Sequence, residues 1–400
     1  MIPTISKKAV ETLRDFLKLE SAGGLLLIAA TVLALLVANI PFTEALYRWA
    51  LKLHLTITLG GLGVDKPLLL WINDALMTLF FLLVGLELKR EMVEGQLSSA
   101  EQVVLPSLAA LGGIAAPAAL YWWLNAGVEV QQRGWAIPTA TDIAFALAIL
   151  GLMGSRVPVA LKVFLTTIAI VDDIAAIGLI ALFYTSELSA TALIYAGAGI
   201  VGLFLLNYWQ VVRIAPYLLI GLFIWFCVLK SGVHATLAGV VVAAFIPMRS
   251  ANDESPVRQL EHVLHPWVAF AILPIFAFAN AGVSFAGLTR EAVTGGVPGG
   301  IVLGLFVGKQ AGVFGMVALA WLLRLAKLPP GTTWGQIYGV AALCGVGFTM
   351  SLFIGSLAFG EDNPGLISGV RLGVIAGSVL SGILGLIILN FTLPAKAPAE

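Results

Sequence analysis

The sequence predicts an all-α polytopic membrane protein with about 12 transmembrane helices and one small outer β-hairpin. Two features of composition and one of pattern lead there. Of 400 residues, 60% are hydrophobic and 11% charged, against about 25% charged in an ordinary soluble domain. Mean hydropathy is +1.00. That much apolar surface suits a bilayer, where lipid is the solvent. Finally, apolar runs of near-membrane length recur from end to end.

The first twenty residues contain Lys7, Lys8, Arg14 and Lys18 and lack a small-residue cleavage site, so no cleavable signal peptide is expected. Val10, Leu13 and Leu17 fall at helical spacing, which predicts an amphipathic segment over 1–20 lying on the membrane surface. A span needs about 20 mostly apolar residues. Spans are expected near 21–40, 67–88, 103–124, 130–153, 158–184, 190–209, 213–229, 232–247, 260–280, 298–321, 335–359 and 366–391. The seventh and eighth are short and meet at a tight turn, Lys230-Ser231-Gly232. Between the first and second, Leu51, Leu53, Leu55, Ile57 and Leu59 alternate with Lys52, His54, Thr56 and Thr58, and Gly60-Gly61 offers a turn. This is a hairpin signal. A lone hairpin is marginal in water, so its edge suits pairing with a second copy. An ordered outer loop without pairing is the other reading.

With both termini inside, the inner segments, from Lys7 to Lys396, hold fourteen Lys and Arg, and the outer ones, from Arg48 to Arg371, hold seven. That bias makes the termini cytoplasmic. Net charge is zero, so no basic footprint points to nucleic acid. Cys227 and Cys344 sit in separate apolar runs and suit packing rather than a disulfide or metal site.

Ionisable groups at bilayer depth carry the functional signal. Each costs at least about 2.5–3.5 kcal/mol at a helix centre on insertion scales. Asp172 and Asp173 stand side by side mid-span in TTIAIVDDIAAI. Neighbours on a helix point about 100° apart, so the two cannot share one role. One is expected to face a water-filled funnel and the other a neighbouring helix. Lys309, in LGLFVGKQ, is also mid-span. Asp74 is intramembrane too, and a polar contact with Asn73 is its simplest role. His234 stands at a helix start, where packing or capping satisfies it.

The fourth and eleventh spans look broken. Pro138 precedes Thr139, Thr141 and Asp142 in IPTATDIAFAL. Proline removes a donor and disfavours helix at Ile137, while Thr141 and Asp142 are capping types, so a second half-helix should start near Asp142. In CGVGFTMSLFIGSLAF, Gly345 and Gly347 precede Thr349. Two interrupted helices, in corresponding positions of two three-helix groups, point to inverted-topology repeats with discontinuous crossing helices. Glycine is common in membrane helices, so the eleventh span alone would say little. Half-helix ends carry partial charges. Asp142 could neutralise the positive pair and Lys309 the negative pair, and Lys309 could also pair with Asp172.

A second cluster lies at the cytoplasmic edge. GLELKREMVEG supplies Glu87, Arg90, Glu91 and Glu94, and SPVRQLEHVLHPW supplies Arg258, Glu261, His262 and His265. Interfacial salt bridges are the plain reading. Groups titrating near neutrality make a pH sensor the functional one. Zinc-site spacing is absent.

FFLLVGLELKRE, IPTATDIAFAL, TTIAIVDDIAAI, LEHVLHPWVAFAILPIFAFANAG, LGLFVGKQ and CGVGFTMSLFIGSLAF resemble the bacterial NhaA-type Na⁺/H⁺ antiporters over nearly the whole chain. The resemblance implies an electrogenic, pH-regulated exchanger of Na⁺ or Li⁺ for H⁺ in the bacterial inner membrane, with no cofactor. It implies a homodimer formed partly through the hairpin near 51–66. It implies interface helices in 21–94 and 232–283 and a transport core in 103–184 and 298–391, with linking helices in 190–229 and a C-terminal tail at 392–400. Asp172 and Asp173 match the ion- and proton-binding pair, where Na⁺ would bind. Thr141, Asp142 and Thr349 match the broken helices and Lys309 the buried lysine. Glu87, Arg90, Glu91, Glu261, His262 and His265 match the pH-response region, where Arg258 replaces a lysine. Two other functions stay open from the residues alone. A sodium-coupled organic-anion symporter would need a wide basic cavity. An intramembrane aspartyl protease would pair Asp142 with Asp172, but Asp172 lacks that class's Gly-x-Gly-Asp setting.

Overall fold

The computed structural model describes residues 22–59, 62–95, 100–185, 188–249, 255–286, 295–360 and 363–394. The amphipathic segment over 1–20, the Gly60-Gly61 turn, Arg290 and Lys396 lie outside the described residues.

Helix α1 (Ala22–Asn39) is followed by α2 (Pro41–Lys52), which the apolar pattern did not announce. Pro41 opens it, and Glu44 and Arg48 pair one turn apart. The hairpin is β1 (His54–Leu59) against β2 (Leu62–Pro67), antiparallel, with His54 opposite Pro67 and Leu59 opposite Leu62. Leu51 and Lys52 therefore belong to α2, not to the strand. Their alternation was compatible with both periods, and the ion pair and N-terminal proline favour helix.

The long helices are α3 (Leu68–Val93), α4 (Ala100–Leu124), α7 (Val159–Phe183), α8 (Ala190–Tyr208), α11 (Pro256–Ala281), α12 (Gly296–Leu322) and α15 (Pro364–Thr392). Two bent pairs interrupt the series. One is α5 (Glu129–Thr139) with α6 (Ile143–Gly151), bent by 43°. The other is α13 (Trp334–Leu343) with α14 (Phe348–Phe359), bent by 41°. Helices α9 (Ile214–Leu229) and α10 (Leu237–Phe245) are short. Among the described residues, eight helices are long and apolar enough to cross a membrane, or up to ten if each bent pair is one span. The run 232–247 is helical only over α10, because the chain turns at Gly232 (φ 83°) and winds irregularly to Thr236.

Helix does persist through Ile137, contrary to the expectation from Pro138. It does so as a tight 3₁₀ segment, Arg133–Thr139, and the chain becomes extended only at Ala140. Ser351 Oγ satisfies the Ile137 carbonyl at 2.7 Å.

Close crossings position the core. A Cβ on Gly308 of α12 would lie 2.6 Å from Pro117 Cα of α4. One on Gly347 would lie 2.9 Å from the Ala140 carbonyl. No other residue allows these backbones to meet. Leu161, Leu165 and Ile168 of α7 pack with Val313, Val317, Ile337 and Val340. Helices α8, α9 and α10 pack elsewhere, through Leu203, Tyr217, Ile224 and Val242 against Leu82 and Leu86 of α3.

Candidate functional site

The two breaks meet. The Asp142 N–H donates to the Val346 carbonyl at 2.7 Å. Asp142 is the N-cap of α6, its Oδ1 accepting from Phe145 N–H at 3.0 Å. Its Oδ2 accepts from the Thr349 N–H at 2.9 Å and from Thr349 Oγ1 at 2.5 Å. One buried carboxylate thus caps two helix N-termini, α6 and α14, where the backbone dipoles favour negative charge. The Phe348 N–H, also at the start of α14, donates to Ser378 Oγ at 3.2 Å.

On the other side of the breaks, Lys309 Nζ lies 2.5 Å from Asp172 Oδ2 and 3.0 Å from Thr141 Oγ1. Thr141 Oγ1 is within 2.6 Å of Asp172 Oδ2 and 2.9 Å of the Cys344 carbonyl. A hydroxyl has one proton, so Thr141 donates to only one of these two at a time. Lys309 thereby reaches the carbonyl end of α13 through Thr141. It is fully buried. A π-helical turn, Gly304–Gly308, immediately precedes it and sets its side chain off the regular spacing.

Asp172 and Asp173 diverge as adjacent helical residues must. Asp172 faces Lys309 and Thr141. Asp173 makes no hydrogen bond or ion pair to a described residue, and Oδ1 of each carboxylate is buried without a donor. Neither carboxylate is open to solvent among the described residues, where one was expected to face a water-filled funnel. Asp172 is 2% exposed and Asp173 3%, because the helices packed around α7 cover both. Nor do Asp142 and Asp172 form a proton-sharing dyad, since the first is committed to Thr349 and Phe145 and the second to Lys309.

Two other polar pairs, one half-buried and one buried, differ from the simplest sequence reading. Asp74 pairs with Lys66 at 2.7 Å, while Asn73 exchanges amide hydrogen bonds with Asn280, so the two neighbours do not bond each other. The reason is their different directions on the π-helical turn Ile72–Leu76. His234 Nε2 contacts the Tyr184 carbonyl at 2.5 Å, a packing role.

Where the end of α3 meets the start of α11, Arg90 joins Glu261 (Nε to Oε2, 3.0 Å) and Glu91 (2.8 Å), tying the two helices together. Glu87 lies on the same helix. Arg258 is drawn instead to Glu94, which also accepts from Arg249. These hydrogen bonds, Arg249 first, hold the Glu94 carboxyl below the usual range. His262 and His265 are exposed and have no partner among the described residues. Sequence reasoning missed the Glu94 clamp and the supporting serines, Ser351 and Ser378. Glu94 looked like one charge among many, and serines carry no signal in an apolar run. Among the described residues no group of three or more His, Cys, Asp or Glu could hold a metal ion.

A single family profile, Na⁺/H⁺ antiporter 1, matches residues 14–389. The Na⁺/H⁺ antiporter NhaA of Pseudomonas putida strain GB-1 is 57% identical over 371 residues, covering 92% of this chain and 95% of the relative. NhaA 1 of Syntrophotalea carbinolica is 54% identical over 393 residues, covering 97% and 98%. NhaA of Citrobacter koseri is 52% identical over 373 residues, covering 93% and 96%. With the profile spanning nearly the full chain and relatives this similar end to end, the chain belongs to the Na⁺/H⁺ antiporter 1 family.

Proposed function

We propose that this protein is an electrogenic Na⁺/H⁺ antiporter of the bacterial inner membrane, a secondary transporter and not an enzyme, which also carries Li⁺. The observation that carries the reading is the pair of adjacent buried carboxylates, Asp172 and Asp173, each with an oxygen that no donor reaches. A buried carboxylate oxygen without a donor is costly, and a cation or a proton relieves it. Na⁺ is a hard cation that takes oxygen ligands, as Ca²⁺ and Mg²⁺ do. Asp173, Asp172 and the Thr141 hydroxyl supply them. Na⁺ and protons compete for the same oxygens, so loading one excludes the other and exchange is obligatory. Moving unequal charge couples the cycle to the membrane potential, at about 2.3 kcal/mol per charge per 100 mV. No cofactor is required for this cycle. The symporter and protease readings have no support among relatives that are all named antiporters.

The finer architecture is part of the proposal. Helices α9 and α10 complete twelve spans with both termini cytoplasmic. The groups α4 to α7 and α12 to α15 are inverted repeats, each with its bent pair in the middle, and they form the transport core. Helices α1, α3, α10 and α11 form the interface group, with α8 and α9 as linkers. A homodimer forms through the hairpin, whose Leu55 and Ile57 are 44% and 54% exposed. Glu87, Arg90, Glu91, Arg258, Glu261, His262 and His265 serve the pH response. Arg90 is its hub, through Glu91 and Glu261.

A pH-gradient assay in everted vesicles, with Na⁺, Li⁺ and K⁺ added in turn, tests the function. Na⁺ and Li⁺ should each release protons, weakly at acidic pH and strongly at alkaline pH. Raising Na⁺ should move the profile toward acid. A flat pH profile would overturn competition at the carboxylates. An acid edge fixed at every Na⁺ concentration would assign control to the Arg90 cluster.

A further inference from the structure

A cavity of about 910 Å³ opens at the end of the core opposite the Arg90 cluster. Its walls come from the end of α4 (Trp122), the start of α5 (Glu129, Arg133, Trp135) and the end of α7 (Phe183). Its floor includes Leu357 of α14. Two observations single it out. Glu129 and Arg133 stand four residues apart on one short helical stretch, yet neither forms an ion pair or side-chain hydrogen bond with a described residue. Both side chains are exposed, so two opposite charges one turn apart are open to an occupant. The surrounding wall is aromatic and firmly held. Trp135 and Phe183 meet edge to face at 5.3 Å, and Tyr184 donates to the Arg133 carbonyl at 2.8 Å.

Exposed aromatic and apolar side chains ring the rim. Trp122 and Trp123 are 55% and 69% exposed at the end of α4, and Leu182 and Phe183 are 78% and 59% exposed at the end of α7. Exposed tryptophans at a helix end mark the boundary between headgroups and acyl chains. An occupant must therefore be apolar where it meets Leu182 and Phe183. It must be zwitterionic where it meets Glu129 and Arg133.

We propose that this cavity binds the headgroup of a zwitterionic ethanolamine phospholipid. Arg133 takes the phosphate, to which guanidinium is matched in geometry. Glu129 takes the primary ammonium, with the Trp122 face beside it. The acyl chains run down the exposed apolar face of α7. Because the walls belong to α4, α5, α7 and α14, the lipid braces the outer ends of both bent pairs. The inference is independent of which ion is transported.

Native mass spectrometry of delipidated full-length protein tests it. The probes are dioleoylphosphatidylethanolamine, dioleoylphosphatidylglycerol and cardiolipin at equal concentration. The wild type should retain the ethanolamine lipid preferentially. Glu129→Gln should lose about tenfold of that retention, as for one charged contact, while leaving phosphatidylglycerol unchanged. Arg133→Ala should weaken both. Neither side chain bonds to a described residue, so both variants should match the wild-type melting temperature without lipid. Equal retention of all three lipids, a preference for an anionic lipid, or a Glu129→Gln variant that behaves as wild type would each overturn the proposal. So would displacement of the lipid by equimolar glycerophosphoethanolamine, which would make the site one for a soluble zwitterion.

Discussion

Lys309 Nζ lies 2.5 Å from Asp172 Oδ2, and both side chains are fully buried. Each is the other's principal compensation in a medium that solvates neither. Lys309→Ala should therefore lower stability by about 3–5 kcal/mol, the usual cost of stripping one partner from a buried pair. Combining it with Asp172→Asn should recover part of that loss, since no lone charge remains. Thermal unfolding in detergent checks both, and an unchanged midpoint for Lys309→Ala would show that the pair contributes nothing.

Asp172→Asn and Asp173→Asn should both abolish cation-induced proton release but differ in stability. Asp172→Asn leaves Lys309 without its counter-ion and should lower the melting temperature. Asp173 has no partner to lose among the described residues, so Asp173→Asn should leave the melting temperature equal or raise it. Normal exchange by a folded Asp173→Asn protein would remove it from the site.

Asp142→Ala should destabilise through two helices at once. An N-cap is worth roughly 1–2 kcal/mol, and Asp142 caps both α6 and α14. Thr349→Val, which removes only the hydroxyl, should cost less than half as much in the same unfolding assay. Equal losses would mean that the backbone caps are not what Asp142 supplies.

The Glu94 clamp has a defined pH dependence. Its carboxyl is held below the usual range, so its contribution is present above the ordinary carboxylate pKa and is lost as pH falls through the depressed value. The wild type should therefore melt higher than Glu94→Gln at neutral pH, and the gap should close under strong acid. A gap that persists there would exclude ionic pairing with Arg249 and Arg258 as its source.

Deleting residues 54–64 should weaken a dimer and leave each protomer able to exchange. Crosslinking before and after deletion measures this. An undiminished dimer would remove the hairpin from the interface.

Composition and periodicity alone determined membrane residence, the run of apolar segments and the depth of Asp142, Asp172, Asp173 and Lys309. They also pointed to the two breaks, through the capping types Thr141 and Asp142 after Pro138 and through Gly345 and Gly347 taken together with that first break. A strong local signal needs no partner to be read. Tertiary structure decided what each charge does. Periodicity shows that Asp172 and Asp173 point apart, but only the packing of both α7 and α12 against α4 brings Lys309, 137 residues away, to Asp172 rather than to Asp173. The same holds for the second cap made by Asp142, which reaches across 207 residues, and for Arg258, which finds Glu94 across 164. Three π-helical turns, at Ile72–Leu76, Val268–Ile272 and Gly304–Gly308, shift side chains off the regular repeat. Direction around a helix axis is a local property of the chain. The identity of the group waiting there is set by packing between distant segments, which no local pattern encodes.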